Sequence, residues 1–159
     1  MLTEVLKKLD NWVIEENRVR SARAVLLLPE VQIRVIGQTA LIEANLNLEI
    51  VATMDVDLID QIEHTVKQRL EELLKVYGKT LDPVRHEAWM PAETEYHEIF
   101  KGEWITGSLA KPVFIILSKA KFAPEKNGNL IADYLASDAL DIRIFDLAEK
   151  YKVDLDQFV

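Results

Sequence analysis

Apolar residues in the first segment recur at Leu2, Val5, Leu6, Leu9, Trp12 and Val13. That spacing is one stripe of a 3.6-residue period and predicts a helix from Leu2 to about Glu16. Val19 to Leu28 shows no clean period; Ser21 could cap a second short helix that ends before Pro29. The β-branched run Gln32 to Ile36 predicts a strand, Gly37 a break, and Thr39 to about Asn45 a helix. A second strand is expected at about Met54 to Ile59. Ile62, Val66, Leu70, Leu73, Leu74 and Tyr77 then share one helical face, and Gly78 supplies its stop. Short strands are expected at His86 to Met90, His97 to Phe100 and Trp104 to Leu109. Pro112 opens a helix through Lys121, Pro124 to Asn129 reads as a loop, and helices follow at about Leu130 to Ala136 and Ala139 to Tyr151, with a turn near Leu155. Helix, mixed strands, then helices predicts an α/β (α+β) fold: a mixed sheet flanked by helices, with the C-terminal helices packed beside it.

Composition narrows this picture. At 159 residues with no repeat or linker, one domain over 1–159 is expected, with a core at about 30–110 and a helical part at about 111–159. The absence of cysteine excludes disulfides and thiolate metal sites. No apolar run reaches membrane-spanning length and no signal-peptide pattern opens the chain, so the expectation is a cytoplasmic protein without a membrane partner. A net charge of −8 argues against attraction of duplex nucleic acid, and no strong nucleic-acid signature is present.

The candidate chemistry centres on Thr53-Met54-Asp55-Val56-Asp57-Leu58. In a strand, Asp55 and Asp57 point to one face. Neighbouring carboxylates repel unless a cation lies between them, and a hard divalent ion such as Mg2+ with a substrate phosphate is the usual answer. The alternative is a solvated edge strand that carries two acids. Upstream, Gln32 to Ile36 followed by Gly37-Gln38-Thr39 is a strand, a glycine and a helix start. There the backbone can approach a phosphate; the alternative is an ordinary strand-to-helix turn.

A strand–glycine–helix–strand unit that ends in Asp-x-Asp resembles the nucleotidyltransferase superfamily. The Thr-x-Asp-hydrophobic-Asp run is present as Thr53 to Asp57, whereas Gly37-Gln38 replaces the usual Gly-Ser or Gly-Gly. Pro112 to Ala120, Asn127 to Leu135 and Lys150 to Leu155 are similar to segments of small bacterial nucleotidyltransferase-like proteins related to the abortive-infection AbiEii toxins. The resemblance runs from about Val31 to the C-terminus. It implies that Asp55 and Asp57 bind Mg2+ on a nucleoside triphosphate (NTP), that Gly37, Gln38 and Thr39 cradle its phosphates, and that Lys119 neutralises charge. It also implies a third carboxylate on a neighbouring strand, for which Glu87 is the first candidate and Glu103 the alternative.

Three functions remain open. The first is an enzyme that transfers a nucleoside monophosphate from an NTP to a hydroxyl acceptor, in a toxin–antitoxin or phage-defence setting with an antitoxin or other protein partner. The second is a catalytically degenerate member of the fold that binds nucleotide or protein. The third is an interaction module without a nucleotide site. Asp133 could pair with Lys119 or cap a helix. His64, His86 and His97 lack metal-ligand spacing; Trp89, Trp104 and Phe114 read as core, and the acids from Asp138 onward as a solvated face.

Overall fold

The opening stripe forms one helix, α1 (Leu2–Ala22), which buries Leu2, Val5, Leu6, Leu9 and Val13. It outruns its expected end, and no second short helix forms before Pro29. The stripe continues through Asn17, four residues past Val13 and also buried. Asn17 is tolerated there because its side chain donates to Leu28 O at 3.1 Å and accepts from Leu28 N–H at 2.7 Å. Reading apolar residues alone therefore stops the helix early.

The computed structural model describes residues 1–82 and 89–159. After α1 come β1 (Val31–Ile36), α2 (Gly37–Glu43), β2 (Asp55–Leu58), α3 (His64–Lys75) and β3 (Thr80–Leu81). Then follow β4 (Tyr96–Lys101), β5 (Ile105–Ala110), α4 (Pro112–Phe122), α5 (Gly128–Leu135), α6 (Arg143–Tyr151) and a short 3-10 turn (Asp156–Phe158). The fold is the expected mixed α/β class. Its sheet has the order β3-β2-β1-β5-β4, with β1 antiparallel to β2 and parallel to β5. The strand expected from His86 lies largely outside the described residues, and Trp89 and Met90 are not in a strand. The helix expected from Ala139 begins at Arg143.

Helices α1 and α3 pack together, α1 also against β4 and β5 and α3 against β3. Ile33 and Val35 of β1 and Val56 and Leu58 of β2 are all buried. At the other side, α4 buries Val113 through Leu117 and packs on α2, α5 and α6. Phe114 is fully core, while Trp89 packs its ring against Phe122 and Tyr151. No helix among the described residues is long and apolar enough to cross a membrane.

Asp10 interrupts the apolar face of α1 and is 5% exposed. Its carboxylate accepts the N–H groups of Glu103, Trp104 and Ile105 at 3.2, 2.8 and 3.0 Å, which fixes the β4–β5 turn onto the helix. Asp10→Ala would leave these donors without a protein acceptor, each costing about 1–3 kcal/mol where water cannot reach. A loss of about 3 kcal/mol or more is expected in urea denaturation, with Asp10→Asn between it and the wild type. A loss below about 1 kcal/mol would show that water replaces the carboxylate.

Candidate functional site

The site begins where β1 ends. The chain enters α2 at Gly37 with φ +72°, a conformation that other residues reach only with strain. Ile36 pairs with Asp57 across the sheet, so the turn lies against that acid. A Cβ on Gly37 would stand 2.4 Å from Asp57 Oδ2. Glycine is thus required twice, by backbone angle and by close approach.

On β2 the alternation works as strand geometry dictates. Val56 and Leu58 are buried, and Asp55 and Asp57 share the other face. Asp55 is exposed and Asp57 half-buried. Thr39 is 4% exposed, and its hydroxyl donates to Asp55 O at 2.6 Å, tying α2 to β2.

A third acid comes from β3. Its parallel register sets Asp55 beside Thr80 and Val56 beside Leu81, and the Asp82 N–H donates to Val56 O at 2.9 Å. Asp82 therefore stands next to Asp57, and the two carboxyls hydrogen-bond. The Asp57 carboxyl is pushed up to about 6, first by burial, then by that bond and by the charges of Asp82 and Asp55; Lys119 opposes the rise. The cause is desolvation of negative charge beside like charge.

Across from the acids, α4 presents Lys119, half-buried. Burial lowers its ammonium below the ordinary lysine value, Lys126 adds to the fall, and Asp57 pulls the other way. Lys126 and Asn127 come from the turn that joins α4 to α5. These groups line a cleft of about 1130 Å³. The segment 49–53 walls one side. It is held by the Gln38 amide, which donates to Val51 O at 2.9 Å, and by Lys79 Nζ, which donates to Thr53 O at 2.6 Å. Asn129 and Asp133 of α5 also line the cleft. Asp133 lies inside that helix and so is not its cap.

The fold brings Gly37, Gln38, Asp55, Asp57 and Lys119 together. Thr39 lies beneath them with its hydroxyl occupied, and the Gln38 amide is likewise engaged. Glu87 lies outside the described residues. Glu103 sits before β5, whose first residue Ile105 pairs with Val31, whereas Gly37 follows the other end of β1. At about 3.3 Å per residue those six steps are roughly 20 Å along the strand, so Glu103 is not part of this cleft. Asp82 is the carboxylate that sequence reading missed. Its only local signal is Thr80-Leu81-Asp82 after the Gly78 stop, too short for a period to register.

Among the described residues no group of three or more His, Cys, Asp or Glu side chains could hold a metal ion by itself. The acids offer an open, all-oxygen set instead. Such a set would hold Mg2+ only together with waters and the oxygens of a substrate phosphate.

No protein-family model, curated protein or solved structure matches this chain.

Proposed function

We propose that this protein transfers a nucleoside monophosphate from an NTP to a hydroxyl acceptor. One observation carries the reading: Asp55, Asp57 and Asp82 gather on one sheet face, in a cleft with Lys119 and Lys126 on its other side. The cleft volume of about 1130 Å³ is at the upper end of small-molecule sites, commonly about 300–1000 Å³. Asp55 and Asp57 would hold Mg2+, and Lys119 with Lys126 would neutralise the phosphate tail. When bound, the cation would draw charge from the phosphate oxygens. The acceptor oxygen attacks the α-phosphorus, the bond to the β-phosphate oxygen breaks, and pyrophosphate leaves with the electron pair. The hydroxyl proton passes to Asp82. A toxin–antitoxin or phage-defence setting belongs to the same proposal and rests on the resemblance.

A second reading, nucleotide binding without transfer, is favoured by the lack of a self-sufficient metal group among the described residues. Two measurements separate the readings. ATP, GTP, CTP or UTP with Mg2+ is expected to raise the melting temperature, because a ligand of the native state stabilises it by mass action. The rise should require the metal and vanish in Asp55→Asn. Transfer of α-labelled nucleotide to an acceptor, absent in Asp82→Asn, supports the enzyme; magnesium-dependent binding with no transfer supports the second reading. No response to any of the four nucleotides rejects both.

A further inference from the structure

We infer that the acceptor occupies a second cavity that adjoins the cleft at Asp82, and that it is a small alcohol carrying an anionic group such as a phosphate ester. The inference rests on the proposed transfer reaction and names its second substrate. This cavity, about 380 Å³, is lined in part by Asp60, Gln61, His64, Lys67, Leu81 and Asp82. Asp82 lines the large cleft as well, so the two spaces meet at the residue assigned to take the acceptor proton. A two-substrate transfer needs the acceptor hydroxyl within reach of both the α-phosphorus and the carboxylate that takes its proton, and Asp82 is the acid that lines both spaces.

The lining also defines the acceptor's charge. Asp60 is already neutralised by Arg34, whose Nη2 and Nε donate to it at 2.6 and 3.0 Å. Lys67 and His64, one helical turn apart on α3, make no ion pair among the described residues. With Asp60 compensated by Arg34, the Lys67 ammonium has no ion-pair partner among the described residues. It can reach an anion one side of the cavity while the hydroxyl faces Asp82. The Gln61 amide can hydrogen-bond a further hydroxyl, and buried Leu81 supplies an apolar floor. A volume of about 380 Å³ is near the low end for ligand sites and fits a compact molecule. A long polyanion such as RNA is disfavoured by the net charge of −8.

The test uses the intact chain and glycerol 3-phosphate as probe, read by amide NMR shifts. Shifts at Gln61, His64 and Lys67 are expected, with glycerol giving a much weaker response. Lys67→Met should weaken that binding about tenfold, the scale of one charge-assisted hydrogen bond, and His64→Gln by less. The magnesium-dependent NTP thermal shift of both variants should stay as in the wild type, which also reports that they are folded. If NTP binds but the α3 amides do not respond, or if glycerol matches its phosphate, the acceptor assignment falls and the donor reading stands. Binding unchanged in Lys67→Met also overturns it. Labelled transfer to an RNA oligonucleotide or a serine peptide, with none to phosphorylated alcohols, would do the same. Absence of any NTP shift removes the donor reading instead.

Discussion

Gly37→Ala is expected to abolish the magnesium-dependent NTP shift and to destabilise the protein by about 2–4 kcal/mol. The left-handed backbone (φ +72°) accounts for about 1–2 kcal/mol of that loss. The rest follows from the new methyl carbon, which would lie 2.4 Å from Asp57 Oδ2. Crowding of this kind costs about 1–3 kcal/mol in a packed setting. An aspartate is short, so relief means swinging its carboxyl away from Asp82 and out of the acid cluster. The binding loss should therefore exceed what the stability loss alone would produce. Gly78→Ala is the matched control. Gly78 has φ +68°, yet a Cβ there meets nothing within 4 Å. It should pay the backbone strain alone and leave NTP binding intact. Equal effects of the two substitutions on binding would show that the approach of Gly37 to Asp57 has no bearing on the site.

Asp57→Asn should do the reverse for stability while also ending metal-dependent binding. Ionised Asp57 is partly buried next to two other acids, and its folded-state pKa is about 6 against an ordinary 3.8. The native state therefore holds a proton between these values after the unfolded chain has released it. The stabilisation from this group is complete below about pH 4 and is lost as pH rises through about 6. At about 1.4 kcal/mol per pH unit the full shift would be near 3 kcal/mol; the group keeps contact with solvent, so about 1–2 kcal/mol is expected. The nearly isosteric amide removes the charge and keeps a hydrogen-bonding group for Asp82. Without ligand at pH 7.5, Asp57→Asn should melt higher than the wild type by about 2–8 °C, at about 2–4 °C per kcal/mol for a chain this size. The gap should shrink as pH falls from 6 to 4. With Mg2+ and NTP the order should invert, because only the wild type gains from the ligand. A lower melting temperature for the variant at every pH, without ligand, would mean that the acids are not in conflict. Stability given up at a site in exchange for function is a familiar trade.

Much of this architecture could be read from local pattern. The β-branched run of β1, the stripe of α3 and the proline at the start of α4 each produced the expected element. So did the alternation that set Asp55 and Asp57 on one face. These features depend on a residue's near neighbours along the chain, which the one-dimensional pattern records. The helical stripe of α1 was legible too, but its end was not, because Asn17 is satisfied by Leu28 from outside the helix.

By itself, then, the sequence determined the α/β class, the glycine turn and the paired acids with their lysine candidate. Tertiary structure alone decided which further groups join them. Asp82 enters through the register of a two-residue strand against β2, an arrangement set by hydrogen bonds between segments far apart in sequence. The β1–β5 pairing likewise places Glu103 at the other end of the sheet, and the docking of α2 on β2 buries Thr39 beneath the cleft. They also turn Asp57 from an ordinary surface acid into a strained one, since desolvation and like charge act through space and leave no mark in the order of residues.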